Sequence, residues 1–225
     1  MNISLFIAQY EEYYKTIVDY LCFNRLTHLE RPIRELAAET IALLVPFHPE
    51  YFTNEIIPKL IKSATTYNVH TRHGSLIGIG HILLALKGKW DFYKKSRKNR
   101  KEMLSSLSIK DKKILEDSDY RKEFDKFYDS IKEKNHFELV LNNQELIHEI
   151  IGLISKIDTD ELYRGKGNEV MRFAVNEYIR LLSEVDIPIE SKDFIYYHEI
   201  LIDNIRQTKV AIQDDACDAL KVFNR

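Results

Sequence analysis

The residues best suited to chemistry in this sequence lie in one short run, VHTRHGSLIGIGH, from Val69 to His81. The run holds three histidines, an arginine and three glycines. Histidine can ligate a metal or act as a general base, and glycine can let a ligand approach the backbone. A catalytic or metal site also needs converging polar partners, but the run contains no aspartate, glutamate or HExxH pattern. We therefore predict that these residues have a structural role in helix packing, and we predict no catalytic and no metal-binding residues.

A second run, ELYRGKGNEVMR at 161–172, resembles a phosphate-binding loop. Gly165 and Gly167 precede a predicted helix, whose N-terminus would attract anions, and Arg164 and Lys166 flank them. The run lacks the GxxxxGK[ST] spacing, a preceding strand and a following magnesium ligand. It is more typical of a tight turn between helices with a basic edge.

Apolar side chains recur at three- and four-residue spacing almost everywhere outside residues 87–142, as in amphipathic α-helices. The 225 residues are 44% hydrophobic but include only seven glycines and five prolines, which disfavours a turn-rich all-β fold. The two cysteines, Cys22 and Cys217, stand far apart, which suits a reducing compartment. We expect neither a membrane span nor a secretory signal.

A polar residue recurs near the start of four predicted helices, at Arg34, Arg72, Arg172 and Gln213. Arg34 and Arg72 are 38 residues apart, and Arg172 and Gln213 are 41 apart. Each of these helices follows another one, and the first helices of the pairs are predicted at 3–21, 52–65, 144–157 and 191–206. Helix pairs that repeat about every 40 residues are typical of HEAT and armadillo arrays. Neighbouring pairs in such arrays stack to bury a continuous core.

The predicted fold is therefore all-α, a HEAT/armadillo-like α-solenoid of about four helix pairs that forms one segment over residues 1–225. Residues 1–86 hold two pairs and residues 143–225 hold two more. A charged, partly disordered insert at 87–142 separates the second pair from the third.

The insert is basic, whereas the rest of the chain is acidic. Residues 89–135 contain fifteen Lys or Arg and ten Asp or Glu, although the whole chain has a net charge of −2. Within it, KKSRKNRK at 94–101 has six basic residues in eight. Such a run could bind nucleic acid, anionic lipid or an acidic protein tail, but no aromatic residues interleave it, and a solvated loop is the preferred interpretation.

Local signals predict further helix boundaries. Asn54 is expected to cap the helix at 52–65, and Pro58 is expected to bend it. In the second half of the insert, a short amphipathic helix is predicted behind Ser118 or Asp119.

The recurring arginine and the glycines have expected roles in packing. Arg72, which has the recurring position at the start of a second helix, would brace neighbouring turns through an acidic or carbonyl partner. Gly74, Gly78 and Gly80 would allow close helix packing, although each costs about 1 kcal/mol of helix stability relative to alanine.

Four segments in a fixed order resemble the tubulin-specific chaperone D family, also called tubulin folding cofactor D. They are RPIRELAAETIALLVPFHPEYF, IIPKLIKSATTYNVHTRHGSLIGIGHIL, ELYRGKGNEVMRFAVNEYI and AIQDDACDAL. The resemblance covers about 175 residues, all but the insert and the extreme ends. TRHG followed by YRGKG…MR is its most specific part. Members of that family are far longer, so the chain resembles an interior or C-terminal-half segment.

The resemblance implies a HEAT-repeat chaperone that is not itself an enzyme and needs no cofactor. Such proteins capture β-tubulin and act with tubulin folding cofactors C and E and an Arf-like small GTPase. Together they assemble or dismantle the αβ-tubulin heterodimer and stimulate GTP hydrolysis on tubulin. The implied location is the cytoplasm, with microtubules or the centrosome as further places of association.

The family motifs can be carried over to individual positions. Asn168 stands where the family tends to have a second glycine, so the turn before it departs from the pattern. The structural positions of the motifs are Arg34, Gly74, Gly165 and Gly167. The candidate partner-binding positions are Arg72, His73, Arg164, Lys166 and Arg172.

Three other functions are weighed against a chaperone segment. The first is a HEAT adaptor of another pathway, such as a transport or trafficking scaffold. The second is an enzyme, which would need a nucleophile, a base and oxyanion donors that the sequence does not offer. The third is a nucleic-acid-binding HEAT protein, which would bind through 94–101 with a steep salt dependence.

Overall fold

The computed structural model describes residues 7–89, 119–132, 134–163 and 168–224, and every regular element within them is helical. This agrees with the predicted all-α class and is consistent with an α-solenoid. The elements before the insert are α1 Glu11–Tyr20, a π-helical turn Leu21–Arg25, α2 Arg31–Leu44, a 3-10 turn Val45–Phe47, α3 Pro49–Tyr51, a π-helical turn Phe52–Ile56, α4 Ile57–Ala64 and α5 Val69–Leu86. None of the described helices is long and apolar enough to cross a membrane.

The remaining elements follow the first part of the insert. They are α6 Asp119–Lys132, α7 Glu138–Leu141, α8 Gln144–Thr159, α9 Asn168–Glu184, α10 Ser191–Ile205 and α11 Val210–Phe223. The predicted helix behind Ser118 or Asp119 corresponds to α6. The basic run 94–101 lies outside the described residues.

Short polar side chains and proline set several helix starts. The Asn68 side chain accepts hydrogen bonds from the backbone N–H groups of His70 and Thr71 at 2.9 and 3.1 Å, which caps α5. Asn143 caps α8 in the same way by accepting from the N–H of Leu146 at 3.1 Å. Pro32 lies in the first turn of α2, where its missing N–H costs no hydrogen bond.

The prediction that Asn54 caps a helix is wrong. Helical structure begins earlier, at Pro49, and Asn54 lies inside the π-helical turn Phe52–Ile56. Pro49 is suited to a first helical position because its φ is already helical. The π-helical turn comes directly before α4, whose first turn contains Pro58, and the bend expected at Pro58 stays a prediction.

The second helices of the predicted pairs pack side by side in chain order. α5 packs against α2 on one side and α9 on the other, and α9 packs against α11. Among the first helices, α4 contacts α8. Because α5 contacts α9 directly, the insert leaves the stacking uninterrupted. α5 is the centre of this packing, since every residue from Arg72 to Leu86 is buried.

Helix α6, in the insert, packs against the end of α2 and the 3-10 turn that follows it. The Tyr128 hydroxyl donates to the carbonyl oxygen of Leu43 at 2.8 Å, although α6 is far from α2 in sequence. The Phe47 ring lies against those of Phe127 and Tyr128, with centroids 6.3 and 5.8 Å apart. The amphipathic helix thus has a partner within the chain.

Candidate functional site

Arg34 joins the start of α2 to the turn that precedes it. Its side chain is 1% exposed, and its Nη1 donates to the carbonyl oxygens of His28 and Leu29 at 2.6 and 2.8 Å. Its Nε donates to Nδ1 of His73 on α5 at 3.1 Å, and Nη1 lies 3.3 Å from Nδ1 of His70. Burial and the neighbouring Arg31 lower the pKa of Arg34. One guanidinium therefore connects two consecutive helix pairs.

The same bonding pattern recurs in the other described turns. Nη1 of Arg72 donates to the carbonyl oxygens of Thr66 and Tyr67 at 2.8 and 2.7 Å, so its acceptors again lie six and five residues earlier. The Gln213 side chain donates to the carbonyl oxygen of Gln207, also six residues earlier, at 2.6 Å. These carbonyls lie at the end of a helix or turn, where no backbone N–H of the described residues donates to them. The prediction that Arg72 braces the neighbouring turn through an acidic or carbonyl partner is confirmed, and its partners are carbonyls.

Arg172 has the equivalent position near the start of α9, but its partners come later in the chain instead of earlier. Its Nη1 forms an ion pair of 2.7 Å with Asp203 on α10 and also donates to the Asn204 side chain. The guanidinium carbon lies 5.2 Å from the centroid of the Tyr163 ring, and the Tyr163 hydroxyl donates to Asn204 at 2.7 Å. Arg172 thus connects α9 to the following helix.

Two buried asparagine side chains link Arg172 to α11 through hydrogen bonds. Asn204 donates to the Asn176 side chain at 2.6 Å, and Asn176 donates to the carboxylate of Asp215 on α11 at 3.0 Å. Both asparagines are fully buried. Each is satisfied, as buried amides must be to avoid a large desolvation cost.

The glycines of α5 are explained by close helix contacts, as predicted. A Cβ at Gly74 would overlap the backbone carbonyl of Leu26, and one at Gly78 would lie 2.7 Å from the Leu26 side chain. At Gly80 it would lie 2.6 Å from the Leu181 side chain on α9. The glycines therefore let α5 approach the elements on both of its sides.

Where the four second helices meet, they enclose a cleft of about 210 Å³. Four of its nine lining residues are acidic, and two are buried histidines. We call it the second-helix cleft, and it is lined by Arg31, Glu35, Glu39, His73, Ile77, His81, Phe173, Glu177 and Asp215. Of these, only His73 was singled out from the sequence as a candidate. Glu35 and Glu39 are four residues apart, so they share a helix face, and this is the signal that could have indicated the cleft.

Both histidines of the second-helix cleft are neutral at physiological pH. Burial and the adjacent Arg34 lower the pKa of His73 to about 3. Burial lowers the pKa of His81 to about 4, although Glu177, with a carboxylate oxygen 3.9 Å away, opposes the shift. Burial also raises the pKa of the Asp215 carboxyl.

These two pKa values predict a loss of stability in mild acid. Below pH 6.5 the unfolded chain takes up two protons that the folded chain takes up only near pH 3 to 4. Each histidine then lowers the free energy of unfolding by about 1.4 kcal/mol per pH unit. We expect the pair to account for a loss of about 4 kcal/mol between pH 7.5 and pH 5. Urea unfolding at several pH values measures it.

The variant His81→Gln tests the assignment, because glutamine stays neutral throughout this range. It should show about half of the pH-dependent loss that the unchanged chain shows. An equal loss in the two proteins would mean that His81 takes no part in it.

The structure separates the candidate partner-binding residues into two groups. Arg72, His73 and Arg172 are buried, with exposed fractions of 5%, 1% and 6%, and their hydrogen bonds lie within the fold. Arg72 and Arg172 brace helices and turns, whereas His73 also lines the second-helix cleft. The other candidates, and the two glycines beside them, lie outside the described residues: Arg164, Gly165, Lys166 and Gly167.

No group of three or more His, Cys, Asp or Glu side chains in the described ranges is placed to hold a metal ion. Of the three histidines in the VHTRHGSLIGIGH run, His70 and His73 both approach the Arg34 guanidinium, and His81 faces Glu177. The run therefore forms part of the packing between helices.

Comparison with known proteins finds a partial similarity. The tubulin-specific chaperone D of Dictyostelium discoideum is 27% identical to this chain over 86 residues. The aligned part is 38% of this chain and 6% of that protein, so the chain corresponds to a small portion of the relative's length. No model of a known protein family matches the chain. No solved structure matches it either.

Proposed function

We propose that this chain is a HEAT-repeat segment of a tubulin-folding chaperone of the chaperone D type. The observation that carries the proposal is the partial similarity to a tubulin-specific chaperone D. The order of the four motif segments along the chain supports it. In this role the segment binds β-tubulin and helps to assemble or dismantle the αβ-tubulin heterodimer, with cofactors C and E and an Arf-like GTPase as further partners. The cytoplasm is the corresponding location, including microtubules and the centrosome.

The packing of the helices is compatible with such a role. Second helices that stack in series present an extended surface, which can contact a folded client over many repeats. The charged residues most suited to chemistry are engaged in bracing helices. We therefore propose a protein that acts by binding and that affects GTP hydrolysis only through the active site of a partner.

The first test is co-elution of the chain with αβ-tubulin in size-exclusion chromatography, repeated with the Arf-like GTPase. We expect a shared peak with at least one of them. A helical circular dichroism spectrum first establishes that the chain is folded. If the folded chain binds neither protein, and the full-length protein from which it derives also fails to bind them, the tubulin assignment is rejected.

Two charge reversals then test the basic edge of the family motif. In the double variant Arg164→Glu and Lys166→Glu, we expect weaker binding because tubulin tails are acidic. The double variant Lys192→Glu and Lys221→Glu is the matched control, since it also reverses two charges and these side chains, on α10 and α11, are 75% and 71% exposed. An equal effect of both variants would indicate that only the net charge of the chain matters.

The alternative is a HEAT adaptor of another pathway, such as a transport or trafficking scaffold. It is favoured by the limited extent of the similarity, which covers less than half of the chain. In that case neither tubulin nor the Arf-like GTPase co-elutes with the full-length protein.

A further inference from the structure

The second-helix cleft combines negative charge with an enclosed shape. Four carboxylates and one guanidinium line it, and they come from α2, α9 and α11. Its two histidines, from α5, are neutral at physiological pH. Arg180 pairs with the carboxylate of Glu177 at 2.5 Å and offsets one further charge. With its carboxylates ionised, the cleft keeps an excess of negative charge, which attracts a cation.

One guanidinium already occupies the cleft, and it belongs to the chain itself. The guanidinium carbon of Arg31 lies 4.4 Å from the centroid of the Phe173 ring, while its Nε donates to the Glu35 carboxylate at 2.6 Å. An aromatic face together with a carboxylate is a favourable setting for a guanidinium. The Arg31 side chain is nevertheless 43% exposed, so it covers the cleft only in part.

His73 provides a second, independent indication of a ligand. Its Nδ1 accepts a hydrogen bond from Arg34, which is always protonated, so the proton of the neutral ring must be on Nε2. His73 is 1% exposed and lines the cleft, and its Nε2–H has no acceptor among the described residues. This N–H is therefore available to an acceptor that lies in the cleft.

The chemistry of the walls fits an organic cation better than a metal ion. The described acidic and histidine side chains do not converge as metal ligands. His73 could ligate a metal only through Nε2, which carries the ring proton. Carboxylates spread over several helices, beside an aromatic ring, suit the planar and delocalised charge of arginine.

We propose that the second-helix cleft binds an arginine side chain presented by a partner protein. The guanidinium lies among the carboxylates and against Phe173, and a main-chain carbonyl oxygen next to that arginine accepts from Nε2–H of His73. The partner's arginine displaces Arg31 from Phe173 or stacks beside it. This proposal stands independently of the tubulin assignment, since it follows only from the geometry of the cleft.

The test is a titration of the isotopically labelled chain with N-acetyl-arginine amide, followed by NMR. We expect saturable shifts of the His73 side-chain resonances and of amides near Phe173, with a dissociation constant on the order of 1 mM. N-acetyl-citrulline amide has nearly the same shape without the charge, and it should cause no saturable shift. Sodium chloride at equal concentration controls for ionic strength.

Variants locate the binding within the cleft. Phe173→Leu and Glu35→Gln should each weaken binding at least threefold, because one removes the aromatic face and the other a carboxylate. Glu145→Gln, which removes a carboxylate on α8 outside the cleft, should leave the affinity unchanged and serves as the control. The folded state of each variant is read from its amide spectrum.

Three results would overturn the proposal. The first is the absence of a saturable shift up to about 20 mM, twenty times the expected dissociation constant. The second is an equal response to the citrulline compound, which would exclude recognition of charge. The third is an equal response to N-acetyl-lysine amide, which would indicate a general cation site without selectivity for arginine.

Discussion

Replacing Gly74 with alanine is expected to destabilise the chain by about 3 kcal/mol or more. The added methyl group would overlap the carbonyl oxygen of Leu26, which ends the first helical segment. Because the overlap is with backbone, no side-chain rotation relieves it, and α5 must move away from the element it packs on. Overpacking of this kind costs more than the gain of about 1 kcal/mol that alanine brings to a helix. Urea unfolding followed by circular dichroism measures the difference.

Gly152→Ala is the matched control, and its expected effect has the opposite sign. Gly152 lies inside α8, and a Cβ placed there meets no atom within 4 Å. Alanine should therefore stabilise the chain by up to about 1 kcal/mol through its higher helix propensity. If the two substitutions changed the unfolding midpoint in the same direction, close packing would not be the reason for glycine at position 74.

The second large effect is expected for Arg34→Met, which should lower the free energy of unfolding by about 3 kcal/mol. Methionine retains the apolar stem of Arg34 but leaves three acceptors without their donor, the carbonyls of His28 and Leu29 and Nδ1 of His73. Unsatisfied acceptors in a buried setting cost more than the desolvation that methionine avoids. The measurement is again urea unfolding at pH 7.5.

Two further substitutions separate charge from geometry at this position. Arg34→Lys keeps the charge, but a single ammonium cannot reproduce bonds from both Nε and Nη1, so it should lose at least half as much stability. Arg31→Met removes an exposed guanidinium from the same helix and should cost about 1 kcal/mol or less. A loss for Arg31→Met as large as that for Arg34→Met would contradict a specific bracing role for Arg34.

Several features of the fold follow from the sequence because they depend on local patterns. The three- and four-residue spacing of apolar side chains predicts the helices, and the recurrence of Arg34 as Arg72 predicts the turn that each one braces. The acceptors of these arginines lie five and six residues away, so the contact is determined within a short stretch of chain. Gly74 could likewise be assigned to packing, since glycine inside a helix needs a close neighbour to offset its cost.

Other features depend on which helices become neighbours, and no local pattern contains that information. Arg172 has the same place in its helix as Arg34 and Arg72, yet it bonds to Asp203 and Asn204 on the following helix.

The second-helix cleft shows the same division between sequence and tertiary structure. The sequence by itself determined the all-α class and the bracing of the turns at Arg34 and Arg72, since these need only residues close together in the chain. Only the tertiary structure brought Glu35, Glu177 and Asp215 around the ring of Phe173 and buried His73 beside them. The physical reason is that the charge and the burial of a side chain depend on the neighbours that packing supplies. Those neighbours come from four helices spread along nearly the whole chain.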